Sequence, residues 1–412
     1  MLRTYIMLKF LKTIFHPDHF IVSAATLLLL WLLLWLISAV KFLDPVEKII
    51  MSLSTTDIYY RINASGELND SQDITLIDIT DLSARQRDSL AIVVEDVLRQ
   101  KPAVTGVDII FEGEQIDAEG DAALVDVFYE AAADSSVIIA TKLNHPDSAK
   151  IFHGAAHSFF VGHLGDRQIT EGCVNVLGRA EESITRYPVF LSTPQGVIQS
   201  LPALMTRAVT GHDVPADRWG QHAINYKSIR FPVIDYREIE THAELIRGHK
   251  VLIGATREER DSHLTPIGTR SGLEVIAFAL NSMVEGDHVW WGGAWASALI
   301  ALFAGYAMNL IHYSLVRPLR RKKTIWLRFF ADSTLYGKIL ALLWIILFTG
   351  ITYMLYTHFH IYMDTWLALG VIVLLGEGRL FYTALLTAAY RTWGEKALTH
   401  TLYVNDIRKQ YN

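Results

Sequence analysis

Apolar residues fall into four long runs that bracket one stretch of mixed character. The first, residues 20–40, reads FIVSAATLLLLWLLLWLISAV and is long enough to cross a hydrocarbon core of ~30 Å. The others lie near residues 294–316, 338–356 and 365–388. This spacing predicts four membrane helices, at 20–40, 291–316, 338–357 and 364–388, with residues 41–290 held between the first and second.

Inside 41–290 the periodicity shortens. Residues 74–79 (ITLIDI) read as a strand, with a turn at Thr80-Asp81. Residues 86–100 carry Leu90, Val93, Val94, Val97 and Leu98 at helical spacing, and Lys101-Pro102 ends that helix. A second strand is expected over 104–111, a helix over 120–133 and a strand over 136–142. Residues 145–197 are richer in glycine and polar positions and predict short strands and long loops. A helix follows at 200–211, a strand at 250–255 (KVLIGA), a charged loop at 256–269 and a helix at 271–285. Strands alternating with helices predict an α/β domain whose mixed sheet is packed against helices, attached to an α-helical transmembrane bundle. Trp290, Trp291 and Trp295 mark the start of the second span, where indole prefers the interface.

Charge then orients the chain. Residues 41–290 hold 22 Lys plus Arg against 37 Asp plus Glu, a difference of -15; the remainder holds 15 against 6, or +9, which together recover the net -6. Short basic segments beside spans stay cytoplasmic. Arg3, Lys9 and Lys12 precede the first span, Arg317, Arg320, Arg321, Lys322, Lys323 and Arg328 lie between the second and third, and Arg391, Lys396, Arg408 and Lys409 follow the fourth. Both termini are therefore expected in the cytoplasm, with a periplasmic domain at 41–290, a basic loop at 317–337 and a tail at 389–412. Residues 1–19 form an apolar lead-in with scattered basic residues, suited to lie on the inner surface. A cleaved signal peptide is the competing reading. The first run is longer than a signal core, and Phe42-Leu43-Asp44-Pro45 continues without a small-residue cleavage pattern.

Cys173 is the only cysteine, so the exported domain has no internal disulfide and rests on its own core. The thiol is read as a small core residue.

Several segments carry a family resemblance. They are residues 248–256 (GHKVLIGAT), 261–266 (DSHLTP), 271–277 (SGLEVIA) with Asn281, 74–79, 106–108 (GVD) and 171–188 (EGCVNVLGRAEESITRYP). Taken together they resemble the CHASE2 family of bacterial extracytoplasmic sensory domains. The resemblance covers residues 20–388 and includes the family layout of one span, a periplasmic domain and three closely spaced spans. Two departures stand out. Glu181-Glu182-Ser183 replaces the Asp-Gly turn of family members, and Arg85-Gln86-Arg87 replaces a tryptophan- and proline-bearing helix start. No ligand pocket is therefore carried over from the family. Family members place a kinase, cyclase or related module after the last span, whereas residues 389–412 are too few for one. The resemblance thus implies that a separate membrane or cytoplasmic partner protein receives the signal.

Candidate chemistry concentrates in the loop after Gly254, with Arg257, Glu258, Glu259, Arg260, Asp261, His263 and Thr265. Crevices beyond strand ends are common ligand sites in α/β sheets. Asp261 and His263 suit a polar ligand or a cation; equally, Asp261 caps a turn, His263 bonds to backbone and Thr265-Pro266 stiffens the loop. Asp78 and Asp108 fall near strand ends and can meet at one sheet edge as a carboxylate pair, or serve as loop contacts. His145, His153, His157 and His163 match no zinc spacing. In the membrane, Glu377 and Arg379 interrupt the fourth span, with Asn309 and Lys338 as possible partners; a partner helix is one explanation and snorkelling of Arg379 the other. Trp326, Leu327, Phe329 and Phe330 beside the basic loop predict an interfacial helix that attracts anionic lipid.

No nucleophile elbow, Walker motif, dinucleotide fingerprint or nucleic-acid-binding tract occurs, so neither an enzyme nor a cofactor is expected. Two functions remain. One is a sensory or regulatory subunit that detects a small molecule, envelope component or protein and passes the signal to a separate partner, with a homo-oligomer left open. The other is a scaffold of an envelope complex.

Overall fold

The computed structural model describes residues 12–39, 69–113, 118–134, 136–144, 151–152, 155–156, 159–177, 183–217, 220–257, 261–287, 290–291, 293–319, 323–326, 334–359, 361–362 and 366–411. Expectations at the lead-in residues 1–11, at His145, His153 and His157, at Glu258, Glu259 and Arg260, and at Leu327, Phe329 and Phe330 lie outside them. The chain forms two compact units: Asp57–Trp290, and Met1–Thr56 together with Trp291–Asn412.

The first helix described is α1 (Pro17–Ala39), which overlaps the span Lys12–Ile37. The exported unit then runs β1 (Ile74–Asp78), α2 (Arg87–Arg99), β2 (Val104–Val107), α3 (Ala118–Asp134), β3 (Val137–Leu143), β4 (Thr170–Cys173) and β5 (Arg186–Pro188). A hairpin of β6 (Phe190–Thr193) and β7 (Gly196–Gln199) leads to α4 (Leu201–Thr210), β8 (Gln221–Ala223), β9 (Val233–Asp235) and β10 (Lys250–Gly254). A second hairpin, β11 (Ser262–Thr265) and β12 (Gly268–Ser271), delivers the chain to α5 (Gly272–Glu285).

Six parallel strands in the order β9-β1-β10-β2-β3-β4 make the sheet, and Ala155–Ala156 adds a short antiparallel piece on β3, so the sheet is mixed. Strands β1, β2 and β10 are buried at every position, as expected where helices cover both faces. On one face, Leu90, Val94 and Val97 of α2 and Leu124 and Phe128 of α3 share a core with Ile77, Val107, Ile139 and Ile253. On the other, α4 lies so close to β2 that a Cβ on Gly106 would meet Met205 Sδ at 2.6 Å. Arg87, part of the atypical start of α2, is itself buried: it pairs with Asp121 of α3, donates to the Gly113 carbonyl at 2.6 Å and stacks near Phe159 and Phe160.

Two expectations shift. The strand expected over 104–111 ends at Val107, with the Asp108 N–H making the last bond to β10; Ile109 and Phe111 then turn into the α2–α3 core. The loop expected over 256–269 forms much of the β11–β12 hairpin, held at its turn by the Thr265 hydroxyl donating to the Gly268 carbonyl at 2.5 Å.

The second unit adds α6 (Gly293–Ile311), which runs on through a π-helical turn at His312–Val316, then α7 (Thr334–Phe359), α8 (Trp366–Trp393) and α9 (Val404–Tyr411). With α1 these supply four spans by length and composition: Lys12–Ile37, Trp295–Leu319, Lys338–Phe359 and Trp366–Leu398. Glycines let α1 sit between α6 and α8. A Cβ on Gly305 or Gly378 would collide with Ser23 or Thr26, and one on Gly370 would meet Leu30 at 2.7 Å.

Candidate functional site

Parallel strands place their C-terminal ends along one edge of the exported sheet. Asp78 closes β1 there, opposite Gly254 of β10 and Asp235 of β9. Its buried carboxylate accepts from the Thr80 N–H at 3.0 Å, the Thr80 hydroxyl at 2.5 Å, the Thr256 N–H at 3.1 Å and Arg257 Nε at 2.9 Å. Burial pushes this carboxyl up, but the Thr80 hydroxyl and the Thr256 and Thr80 amides outweigh it and hold it below the ordinary range. Asp78 and Arg257 thus clamp the loop after β10 to the loop after β1.

Asp108 stands on the other side of β10. Its N–H continues the ladder to the Ile253 carbonyl at 2.8 Å, and Gly254 leaves room for it: a Cβ there would lie 3.2 Å from Asp108 Cβ and 2.7 Å from Leu273 of α5. Burial, and then the Asp261 carboxylate, push the Asp108 carboxyl up to about 7 against the pull of Lys142 and His263. Asp261 reaches the same place from the hairpin and rests against Gly272, the first residue of α5, where a Cβ would collide with it. A helix N-terminus favours such an anion. His263 Nε2 lies 3.4 Å from Asp261. The carboxylate neighbouring Asp108 is therefore Asp261, while Asp78 is engaged across β10. Thr265, buried, closes the hairpin turn.

Three residues of this edge have no signature in the sequence. Tyr187 of β5 is fully buried and its hydroxyl has no hydrogen-bond partner. Burial, and then the charges of Asp108, Cys173 and Asp261, push its pKa well above the usual phenol value. Ser200 precedes α4 with its hydroxyl equally buried and unpartnered, bridged to Cys173 at the end of β4. Gly172 makes this approach possible, since a Cβ there would fall 2.6 Å from the Leu201 backbone. Lys142, exposed on β3, is the third. Cys173 is a core thiol, pushed up to about 12 by burial. Among the described residues no group of three or more His, Cys, Asp or Glu side chains forms a metal-ligand set. A separate open groove of about 940 Å³, lined by Ser71, Arg230, Val233, His249 and Phe278 among others, lies toward the opposite ends of β1 and β9.

The helical unit has its own buried polar cluster. Asn309 is not paired with Glu377 or Arg379; its amide meets His19 Nδ1 at 3.1 Å and the Tyr403 hydroxyl at 3.4 Å. Asp18, next to His19, accepts from the Tyr382 hydroxyl at 2.7 Å, the Thr401 hydroxyl at 2.7 Å and the Leu402 N–H at 2.6 Å. The reason is the position of α1: lying between α6 and α8, it brings Asp18 and His19 to the polar groups first. Arg379 Nε donates to the Leu375 carbonyl of its own helix at 3.4 Å, and Glu377 and Lys338 are exposed.

An α/β sheet with a polar edge, carried between the first two of four spans, defines an extracytoplasmic sensory module on a membrane anchor. A family model for the CHASE2 domain matches residues 9–309, and the chain belongs to that family of bacterial sensory domains, which sense rather than catalyse. No curated protein and no solved structure matches the chain. It is a multi-pass inner-membrane protein with its large domain outside the cytoplasm.

Proposed function

We propose that this chain is a sensory subunit whose ligand engages the C-terminal sheet edge around Asp108 and Asp261, and whose spans carry the response to a separate signalling partner. One observation carries the reading: two fully buried hydroxyls, Tyr187 near the Asp108 and Asp261 carboxylates and Ser200 beside Cys173, stand without partners at the edge where α/β sheets receive ligands. Unsatisfied buried polar atoms cost about 1–3 kcal/mol each, and a ligand that pairs them recovers that cost. Asp78, Arg257 and Thr265 then serve as the frame, with Asp261 and His263 as contacts.

For the partner, Glu377 is the strongest contact. It faces outward from α8 beside Gly376, whose Cβ position is open, and a carboxylate facing hydrocarbon is costly until a donor from another helix meets it. Lys338 and the basic residues of 317–337 add attraction for anionic lipid. A second copy of the chain can supply the facing helix as well as a foreign partner can.

Hydrogen exchange on the detergent-purified full chain, with and without the low-molecular-mass fraction of an envelope extract, tests the ligand reading. Exchange should slow at residues 104–111, 184–189 and 261–273. Slowing confined to the groove residues 228–234 and 242–249, or no slowing anywhere, overturns it.

A further inference from the structure

We propose that the edge site takes a small organic cation, binding a primary ammonium group between Asp108 and Asp261 with the Tyr187 hydroxyl as a third acceptor. The inference rests on the reading that this edge is where the ligand engages. It follows from an inventory of donors and acceptors. Ionised carboxylates only accept hydrogen bonds, whereas a hydroxyl can accept one while turning its own proton elsewhere. An ammonium group is the complement, with three donors and no acceptor. An anionic ligand meets like charge here, from Asp261 and, as pH rises through about 7, from Asp108, and a neutral one leaves that charge uncompensated.

Three further observations favour an organic cation. Tyr187 is buried completely with its hydroxyl unpartnered; the chain entering its strand is tied to the Asp261 hairpin by the Ile184 N–H donating to the Leu264 carbonyl at 2.8 Å, and its electrostatic neighbours are Asp108, Cys173 and Asp261. Calcium takes six to eight oxygen ligands, more than Asp108, Asp261 and the Tyr187 hydroxyl supply between them. At longer range, the -15 balance of residues 41–290 attracts cations and repels anions before any contact forms. His263 and Lys142 are the positive groups that act on Asp108; His263 is partly exposed and Lys142 exposed, so water screens both.

The test is calorimetric titration of the detergent-purified full chain at neutral pH with putrescine, a linear diamine, beside its uncharged diol analogue and succinate. Saturable binding of putrescine alone is expected. Tyr187→Phe, which keeps the ring and removes only the hydroxyl, should weaken it about tenfold, the equivalent of one hydrogen bond. Asp108→Asn should weaken it by at least as much. Thermal unfolding of both variants checks that they are folded. If putrescine fails to bind while the diol or succinate binds and loses affinity in both variants, the edge site stands and the ammonium class is wrong. If putrescine binds with equal affinity to wild type and both folded variants, the cation is held elsewhere and the proposal fails. Absence of saturable putrescine binding also overturns it.

Discussion

Asp78 and Asp108 show how far environment separates two identical side chains at one sheet edge. Asp78 collects four hydrogen bonds and titrates below the ordinary range; Asp108 is desolvated beside a second carboxylate and titrates near 7. Linkage gives the second a definite sign. Between the ordinary carboxyl value of 3.8 and about 7, folded Asp108 keeps a proton that the unfolded chain has released. Stability from this group is therefore present at low pH and is lost as pH rises through about 7. Asp108→Asn mimics the protonated form, so the variant should gain thermal stability over wild type as pH rises from acid to neutral. A difference in melting temperature that stays constant with pH contradicts this. Cys173 offers a second reading at the same scale. It is the only cysteine, is fully buried, and burial pushes its thiol up to about 12. A maleimide should label the native protein only at the rate of unfolding and label denatured protein at once.

At the scale of elements, helix ends and glycines decide the packing. Helix α5 starts with a full capping box: the Ser271 hydroxyl accepts from the Glu274 N–H at 3.2 Å, and the Glu274 carboxylate accepts from the Ser271 N–H at 3.1 Å. That box aims the first turn at Asp261 and Asp108. Ser271→Ala should cost about 1 kcal/mol, lowering the melting temperature by roughly 2–4 °C for a domain of this size. Gly286, at φ 67°, ends the same helix in the left-handed region that glycine tolerates. In the other unit, Gly378 lies against Thr26 without room for a Cβ. Gly378→Leu should force α1 from α8 at a cost of roughly 1–3 kcal/mol, seen as a lower unfolding midpoint in detergent with no change in helix content of the folded state. An unchanged midpoint would show that α1 does not rest there.

At the scale of the whole molecule, four spans and the basic segments determine sidedness. Protease added to intact spheroplasts should digest residues 41–290 and spare a tag on either terminus; protection of the large domain with loss of both tags contradicts the topology. Much of this arrangement was legible in the chain alone, because its causes are local and repeated. A span needs only a long apolar run, a buried strand such as residues 74–78 only a short one, and α2 only apolar residues at helical spacing. The acidic middle and basic flanks are likewise a property of composition, as are the segments of the CHASE2 pattern. The site was legible only in part. Asp108, Asp261 and His263 stood out as polar residues after strands, yet the expected carboxylate pair was Asp78 with Asp108. Strand order separates those two, since β10 from far along the chain inserts between β1 and β2, and no local signal announces that insertion. Tyr187 fell in the loop-rich middle, Ser200 at the start of an expected helix, and Asp18 and His19 in the lead-in before the first span, none of them singled out. Burial and hydrogen bonding depend on partners up to hundreds of residues away. Periodicity and charge therefore chose the elements and their side of the membrane, while only the assembled sheet and bundle could decide which polar groups meet and which are left without a partner.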